Sequence, residues 1–496
     1  MLRDFGTVEP GSLSGPYDLC VAGTGPAGMT VALKVAAAGG RVLLLEGGGL
    51  GPTPESRAVY EGRNVGTVPY GHIETCRLRQ FGGTSGHWAG RCAIFDRVDF
   101  EQRDIFDLPG WPISYDETYR HLDEAKSILD IPDAELTLEP ATPWAEGPFR
   151  IGAYAMSPPT RFGVKYKAEL EASGNIDCLY NANVTDLRLD ENGERISAVV
   201  ITGYDGREEI VEAAEFVIAF GAMENARFLL NANTQRTEGL GNQNDMVGRT
   251  FMEHFNVDFG KVLTTDERFW SEFVEEDGRT PPLMPTVAKM QDADIGNGII
   301  TMISAAQQRY YGRLAPYREA RRAIICGVKP LRARVQENDS SLTCKDEYFI
   351  GTLTEQVPNR ESRILVDPDD RDQFGKPKLL LQYEVTDQDW KTIESHAFEL
   401  GKLLAGKDIA RLRVREGLLD RTIGVGAHCH HMGTTRMSDD AKDGVVDKDC
   451  RVHGIPNLYM AGASVFPTGG GVNPTLTLVS LAVRLGEHLN AKAGRL

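Results

Sequence analysis

Residues 17–48 read YDLCVAGTGPAGMTVALKVAAAGGRVLLLEGG, and this stretch decides the fold of the first part of the chain. The short apolar run at 19–22 predicts a buried strand, and GTGPAG at 23–28 has the GxGxxG spacing of a tight turn that leads into a helix. An Ala-rich segment follows, and a second apolar run at 42–45 predicts a parallel strand beside the first. The stretch therefore predicts a strand, a glycine turn, a helix and a second parallel strand.

Each glycine of the turn has a separate mechanical task. Gly23 permits the turn, Gly25 lets the backbone approach a pyrophosphate, and Gly28 lets the helix pack onto the strand. The helix N-terminus supplies unpaired N–H groups and a partial positive charge for phosphates. Glu46 lies 18 residues after Gly28, close to the ~20 expected for a carboxylate that accepts a hydrogen bond from a ribose hydroxyl. These residues indicate a dinucleotide site.

The chain has 496 residues and a formal net charge of −17, with 54 Lys and Arg against 71 Asp and Glu. The length allows about two to four domains, and the acidic balance argues against a nucleic-acid partner. No apolar run reaches about 18 residues, and the first residues lack the regions of a signal peptide, so we expect no membrane span and a cytoplasmic protein. The eight cysteines contain no Cys-x-x-Cys pair, which favours reduced thiols.

Other parts of the chain also have a readable pattern. In 176–220, alternating residues around an Asn-Gly turn predict a β-hairpin, and FVIAFGAMENARFLL predicts a buried strand that continues through Gly221 into a helix. The C-terminal part predicts a strand, a glycine-rich loop and a helix whose first turn carries Asn473 and Pro474. The middle, 256–420, mixes strand-like and helical segments, which suits a surface that shapes a pocket.

Four segments, spread in order along the chain, resemble those of a known family. They are GTGPAG with Glu46, FGGTSGHWAG at 81–90, FGAMENAR at 220–227, and HHMGTTRM at 430–437 with GGGVNPTLT at 469–477. Together they resemble the glucose-methanol-choline (GMC) family of flavin-dependent oxidoreductases, and most of all its sugar-oxidising branch, which includes pyranose 2-oxidase and fructose dehydrogenase. The resemblance implies FAD as the cofactor and oxidation of a hydroxyl of a sugar or sugar-like substrate to a carbonyl.

The resemblance also implies an α/β fold with two discontinuous domains. The FAD-binding domain is expected to be a Rossmann-like sheet built from 1–100, 175–255 and 421–496. The substrate-binding domain is expected to be an antiparallel sheet with covering helices, built from 101–174 and 256–420.

Oxidation of an alcohol requires a base near the hydroxyl and an acceptor for the hydride. Histidine, with an ordinary pKa of about 6.5, is a suitable base at neutral pH. The resemblance points to His430, three residues before Gly433, as this base, and to Asn473 as its partner on the substrate oxygen. Asn473 also opens the last helix, whose N-terminal dipole would face negative charge on the reduced flavin.

The resemblance further implies which residues contact FAD. Backbone of the GGTSG segment is expected against the flavin ring, and FGAMENAR is similar to a second strand-to-helix turn that contacts the dinucleotide. The expected contacts are Gly23, Gly25, Gly28, Glu46, Gly83, Thr84, Ser85, His87, Gly90, Gly221, Asn225, Gly462, Asn473, Pro474 and Thr475.

Several of these positions have a second interpretation. His87 stands where part of the family carries a histidine bonded covalently to the flavin, but Gly86 replaces the threonine that precedes that histidine. Covalent attachment therefore stays open. Asn225 is also compatible with a plain helix-turn residue, and His254 with a structural residue rather than one near the pocket.

A zinc site is the rival interpretation of His428, Cys429, His430 and His431, because His and Cys are zinc ligands. Neighbouring residues of an extended segment point to opposite faces, and no second ligand cluster at finger-like spacing occurs, so we expect no metal. His428 and His431 are then hydrogen-bonded structural histidines.

Other functions also stay open at this point. The GMC family includes lyases that hold FAD without net redox, a dehydrogenase subunit would need a separate acceptor protein, and a purely structural flavin-binding protein is the non-enzymatic rival. The acceptor could be oxygen, a quinone or a redox protein, and no Cys-x-x-Cys-His haem motif occurs. The net charge gives weak support to a cationic substrate such as an aminoglycoside.

Overall fold

The computed structural model describes residues 1–13, 15–71, 73–136, 147–264, 266, 268–269, 282–304, 315–338, 344 and 348–495. These residues form a mixed α/β structure with several sheets. The strands are β1 (Leu2–Asp4), β2 (Tyr17–Ala22), β3 (Val42–Leu45), β4 (Gly62–Asn64), β5 (Arg91–Cys92), β6 (Phe149–Ile151), β7 (Ala155–Met156), β8 (Ile176–Tyr180), β9 (Asn183–Leu189), β10 (Ile196–Thr202), β11 (Glu208–Ile218), β12 (His254–Leu263), β13 (Leu283–Pro285), β14 (Gly298–Ser304), β15 (Tyr348–Glu355), β16 (Arg363–Arg371), β17 (Pro377–Gln382), β18 (Arg411–Val414), β19 (Gly426–Ala427) and β20 (Leu458–Met460).

The helices lie between these strands. They are α1 (Pro26–Ala37), α2 (Pro54–Ala58), α3 (Tyr115–Thr118), α4 (Leu122–Ile128), α5 (Phe162–Lys165), α6 (Lys167–Ala172), α7 (Ala222–Asn231), α8 (Val287–Ala293), α9 (Ala315–Gly327), α10 (Lys329–Asn338), α11 (Asp387–Gly406) and α12 (Thr475–Lys492). Short 3-10 helices cover Phe5–Thr7, Gly83–Gly86, Arg97–Phe100 and Ala463–Val465.

The first sheet has the strand order β1-β8-β3-β2-β11-β10-β9, with β20 beside β11. From β1 to β11 and on to β20 the pairs are parallel, whereas β9, β10 and β11 are antiparallel. Helix α1 connects β2 to β3, which pair with Leu19 opposite Val42. The predicted strand, turn, helix and parallel strand are therefore confirmed, and α12 packs against α1 on this sheet.

The second sheet is antiparallel and has the order β18-β12-β15-β14-β13-β6, with β19 beside β12. Strand β12 begins at His254, so the first residue of this strand is a candidate site residue. A third sheet has the order β16-β17-β4 and joins the N-terminal part of the chain to the segment after β15. The division into two discontinuous domains stays a prediction.

Two further sequence predictions are confirmed. Strands β9 and β10 form the antiparallel hairpin, and β11 leads through Gly221 into α7. At the C-terminus the expectation needs a small correction, because α12 begins at Thr475 and Pro474 is its N-cap. Asn473 therefore lies before the helix rather than in its first turn.

The cysteines differ from expectation at one pair. A disulfide joins Cys326 at the end of α9 to Cys344, so the prediction of reduced thiols is wrong there. The pair is 18 residues apart in sequence, and such a spacing belongs to no motif that would have marked it. Among the described residues, no helix is long and apolar enough to cross a membrane. A cytoplasmic location stays a prediction.

Candidate active site

The glycine turn between β2 and α1 leaves open space beside one of its three glycines. Gly23 has φ +107°, and a Cβ there or at Gly28 would overlap backbone of the turn and of the neighbouring strand. Gly25 differs, since its φ of −64° suits any residue and a Cβ would meet no protein atom within 4 Å. Neither conformation nor protein packing requires glycine there. The open space at the N-terminus of α1 therefore fits a phosphate group that approaches the backbone.

Glu46 directly follows β3 and lies beside this turn. Its buried carboxylate accepts hydrogen bonds from the Thr24 hydroxyl at 2.6 Å and from the Gly48 N–H at 2.8 Å. Burial raises the pKa of this carboxyl, while the hydrogen bonds from Thr24 and Gly48 oppose the rise. Each carboxylate oxygen can accept more than one hydrogen bond, so the position remains suitable for a ribose hydroxyl.

The segment 82–90 lies directly against the glycine turn. A Cβ at Gly83 would approach the Gly25 Cα at 2.9 Å, so this segment packs closely on the turn only because residue 83 is a glycine. Ser85 is buried and bonded within the protein, because its hydroxyl donates to Gly82 O and accepts from Phe162 N. Thr84 and His87 are exposed, which leaves them open to a cofactor. Gly90, at φ +85°, would place a Cβ against Ser157 O.

The strand-to-helix turn after β11 is held by Asn225. Its amide donates to Ala461 O and to Ser464 Oγ, and its Oδ1 accepts from Phe220 N. These bonds tie α7 to the segment after β20. The side-chain amide of Asn225 therefore forms its hydrogen bonds within the protein. Through these bonds it positions the backbone of the turn, which is the part left to contact a cofactor. Two neighbouring glycines, Gly221 (φ +86°) and Gly462 (φ +109°), have conformations that L side chains rarely adopt.

Three predicted residues meet at a chain of hydrogen bonds. His254 Nε2 lies 3.0 Å from Gly469 O and 2.8 Å from Gly470 O, and both carbonyls can only accept. His254 therefore carries its proton on Nε2 and accepts with Nδ1. His430 Nδ1 lies 2.9 Å from that atom, so it carries a proton and donates it. Consequently, the lone pair of His430 is on Nε2.

Asn473 faces this lone pair. Its Nδ2 donates to His430 Nε2 at 3.1 Å. The Asn473 Oδ1 is buried and has no hydrogen-bond partner in the described part of the chain. An unsatisfied buried amide oxygen is costly in a finished protein. Its presence here is consistent with a site that a bound molecule completes.

Burial keeps both histidines neutral. It holds the pKa of His430 well below its ordinary value, and any positive charge on the neighbouring histidines or on Arg91 would lower that pKa further. Burial also lowers the pKa of His254, and it lowers that of His428 to about 4. A neutral His430 with its lone pair on Nε2 is chemically competent to accept a proton at neutral pH.

Glu253, which the sequence analysis did not select, lies behind the two histidines. Its buried carboxylate accepts from the backbone N–H groups of His254 at 2.9 Å and His430 at 3.0 Å. It also accepts from the Tyr70 hydroxyl at 2.7 Å. The carboxylate joins β12 to the segment at 430 and fixes the separation of the two imidazoles. Burial raises its pKa, and the charge of His431 is the largest effect in the other direction.

His431 points away from its neighbour. Its Nε2 lies 2.7 Å from the Tyr70 hydroxyl and 3.6 Å from Cys76 Sγ. Because Tyr70 already donates to Glu253, it accepts the proton on His431 Nε2. His431 is therefore part of the framework behind His430. The ring nitrogens of the two adjacent histidines have different partners, and such an arrangement does not gather them as ligands of one metal ion.

The remaining residues of HHMGTTRM hold the segment in place. Thr434 donates to Ala222 O at 2.5 Å, and Thr435 donates to Ser464 Oγ at 2.7 Å. Arg436 is fully buried and donates to the carbonyls of Pro467 and Pro109. Most of this motif thus serves the position of His430 rather than the chemistry itself.

Comparisons with known proteins agree with this geometry. Residues 358–482 match the protein family described as GMC oxidoreductase. The chain is 24% identical to 2-methyl-1,2-propanediol dehydrogenase of Mycolicibacterium austroafricanum, over 96% of this chain and 95% of that protein. It is 23% identical to the fructose dehydrogenase large subunit of Gluconobacter japonicus, over 83% of this chain and 80% of that protein.

A solved structure also shares the fold. The crystal structure of pyridoxine 4-oxidase from Mesorbium loti matches with a TM-score of 0.57 and 16% identity, over 95% of this chain and 99% of that chain. The family match in the C-terminal part, the relatives along most of the chain and the shared fold point in one direction: the chain is similar to GMC oxidoreductases.

Proposed function

We propose that this protein is an FAD-dependent oxidoreductase that oxidises a hydroxyl of a sugar or sugar-like substrate to a carbonyl, with His430 as the base. The observation that carries the proposal is the state of His430, which is neutral and has its lone pair on Nε2 beside the Asn473 amide. A positioned neutral base next to a neutral hydrogen-bond donor is what removal of a hydroxyl proton requires.

The substrate hydroxyl would lie beside His430 Nε2 and Asn473 Nδ2 and would take the place of the direct hydrogen bond between them. It donates its proton to His430 and accepts from Asn473, which stabilises the negative charge that develops on oxygen. When His430 becomes an imidazolium, its Nδ1 still donates to His254. The carboxylate of Glu253, bonded to the backbone of both histidines, compensates the new positive charge.

FAD, when bound, supplies the acceptor for the hydride from the carbon that bears this hydroxyl. The space at Gly25 and the N-terminus of α1 would hold the pyrophosphate, and Glu46 would accept from the ribose. Gly83, Thr84, His87, Gly90, Gly221 and Gly462 would hold the cofactor at the adjoining turns, with Ser85 and Asn225 positioning them. Asn473, Pro474 and Thr475 would face the flavin ring from the N-terminus of α12.

This arrangement supports a Rossmann-like FAD-binding domain formed by 1–100, 175–255 and 421–496. The antiparallel sheet around β12 and β15 then belongs to a substrate-binding domain formed by 101–174 and 256–420. Covalent attachment of FAD through His87 stays open, and mass spectrometry of the denatured protein decides it.

The names of the relatives narrow the substrate class. One relative is named for a diol and another for fructose, so we propose a polyhydroxy compound. Other relatives are named for the oxidation of C-glycosides and of aminoglycosides, so a glycoside or an aminoglycoside stays within the proposed substrate class.

Two alternatives are separated by one experiment. The purified protein is loaded with FAD and mixed anaerobically with sugars, short diols, glycosides and aminoglycosides, while flavin absorbance is followed. If the protein is an oxidoreductase, its flavin absorbance decreases with at least one of these compounds. If it is a lyase of the same family, the flavin stays oxidised with all of them. Repeating the reaction with oxygen, a quinone or a redox protein then identifies the acceptor.

The same assay tests the base. His430→Ala should retain FAD and reduce it about two to four orders of magnitude more slowly, the range for a positioned general base. The control is His453→Ala, which removes a half-buried histidine bonded to Ser438 O outside this cluster. If His430→Ala reduces FAD at the rate of the control, the proposed mechanism is wrong.

A further inference from the structure

The helices α9 and α10 form a continuous arm that carries an exposed apolar stripe. Among the named elements they pack chiefly against each other, with a break at Val328 where Pro330 follows. Four large apolar side chains are exposed along them: Tyr317 at 70%, Ile324 at 65%, Val328 at 48% and Leu331 at 38%.

The spacing of these residues places them on one face. They follow one another by seven, four and three positions, which is the periodicity of one side of a helix. The exposed apolar residues continue past the break at Val328 to Leu331 on α10, so both helices contribute to the stripe. At 1.5 Å per residue, the stripe is about 20 Å long.

Basic side chains flank this stripe. Arg318, Arg321 and Lys329 are exposed, and none of them forms an ion pair with any residue that the structure describes. The chain as a whole has a net charge of −17. The arm is therefore a cationic and apolar region of a chain whose net charge is negative. The disulfide between Cys326 and Cys344 ties down the end of α9 where the arm bends.

We infer that α9 and α10 form a docking surface for an anionic lipid bilayer. A helix with an apolar stripe and basic flanks binds in the plane of the bilayer interface, with the apolar side chains among the acyl chains and the basic groups among the lipid phosphates. The long, narrow stripe suits a flat surface. Because the net charge of the chain is −17 and is repelled by such a membrane, contact through this arm would orient the protein.

The test is co-sedimentation of the FAD-loaded protein with vesicles. We expect binding to vesicles of phosphatidylcholine with about one-third phosphatidylglycerol, little binding to phosphatidylcholine alone, and weaker binding at high salt. The triple variant Arg318→Gln/Arg321→Gln/Lys329→Gln should bind about 100-fold less tightly, about fivefold for each charge lost. Ile324→Glu should also abolish sedimentation with the vesicles.

Matched controls lie elsewhere on the surface. The triple variant Arg57→Gln/Arg120→Gln/Arg413→Gln changes the net charge equally at exposed positions away from the arm, and Val164→Glu alters an exposed apolar residue on α5. Both should bind like the unmodified protein. Absence of binding to the anionic vesicles, or equal binding by the arm variants and the controls, would overturn the inference. An acidic protein that occupies the arm while vesicles do not would overturn it as well.

Discussion

The glycine turn at 23–28 and the histidine centre around His430 are built in opposite ways. The turn is assembled from six consecutive residues whose spacing predicts a task for each of the three glycines. The histidine centre brings together Glu253, His254, His430 and Asn473 from three separate segments. A contiguous motif binds a common cofactor fragment, whereas an assembled centre depends on every element that positions it. Substitutions should therefore act locally in the first region and through partners in the second.

The largest effect is expected at the turn. Gly25→Val places a side chain in the open space at the N-terminus of α1, where the pyrophosphate would approach the backbone. The variant should fold and lose its FAD, as measured by absorbance of the purified protein after incubation with excess FAD. Gly174→Val is the matched control, because a Cβ there also meets no protein atom within 4 Å but lies in an exposed turn. Normal FAD content in Gly25→Val would show that the motif is only a turn.

An intermediate effect is expected at His254. His254→Phe keeps a ring of similar size but removes the acceptor for the proton on His430 Nδ1. A buried donor without a partner costs about 1–3 kcal/mol, and a barrier raised by that amount corresponds to a flavin reduction in stopped flow that is roughly 5- to 160-fold slower. FAD content should be unchanged, and His453→Phe should behave like the unmodified protein. An unaffected rate in His254→Phe would mean that the tautomer of His430 is fixed by other groups.

The smallest effect on chemistry is expected one residue away. His431→Phe removes the donor to Tyr70 in the framework behind the base. The free energy of unfolding in urea should fall by about 1–3 kcal/mol because buried polar groups lose a partner. Flavin reduction should stay close to normal. Slow flavin reduction by His431→Phe together with normal flavin reduction by His430→Ala would show that His431, not His430, is the base.

The same contrast explains what the sequence could predict. The βαβ unit, the hairpin at β9 and β10, and the turn at Gly221 were predictable because their hydrophobic periods and turn residues are local. His430 and Asn473 were selected only through the family resemblance. No local pattern indicates that a residue at 254 and one at 430 share a hydrogen bond.

Glu253 shows where a usable signal was overlooked. In RTFMEHF a carboxylate stands between large apolar residues, and a charged group in such a position is buried only when it has partners. That pattern predicts a paired carboxylate without naming its partners. Tyr70, which completes the framework, had no comparable signal. The disulfide between Cys326 and Cys344 also had none, because pairing follows from the fold rather than from spacing.

The central claim is that the assembled centre keeps His430 neutral with its lone pair on Nε2, and the pH dependence of anaerobic flavin reduction tests this most directly. Burial lowers the pKa of His430 well below its ordinary value, so the base is already neutral throughout the range above about pH 6.5. The rate should rise with pH only below this range and stay constant from there to about pH 8.5. A rate that climbs through a midpoint at or above pH 6.5 would contradict the claim.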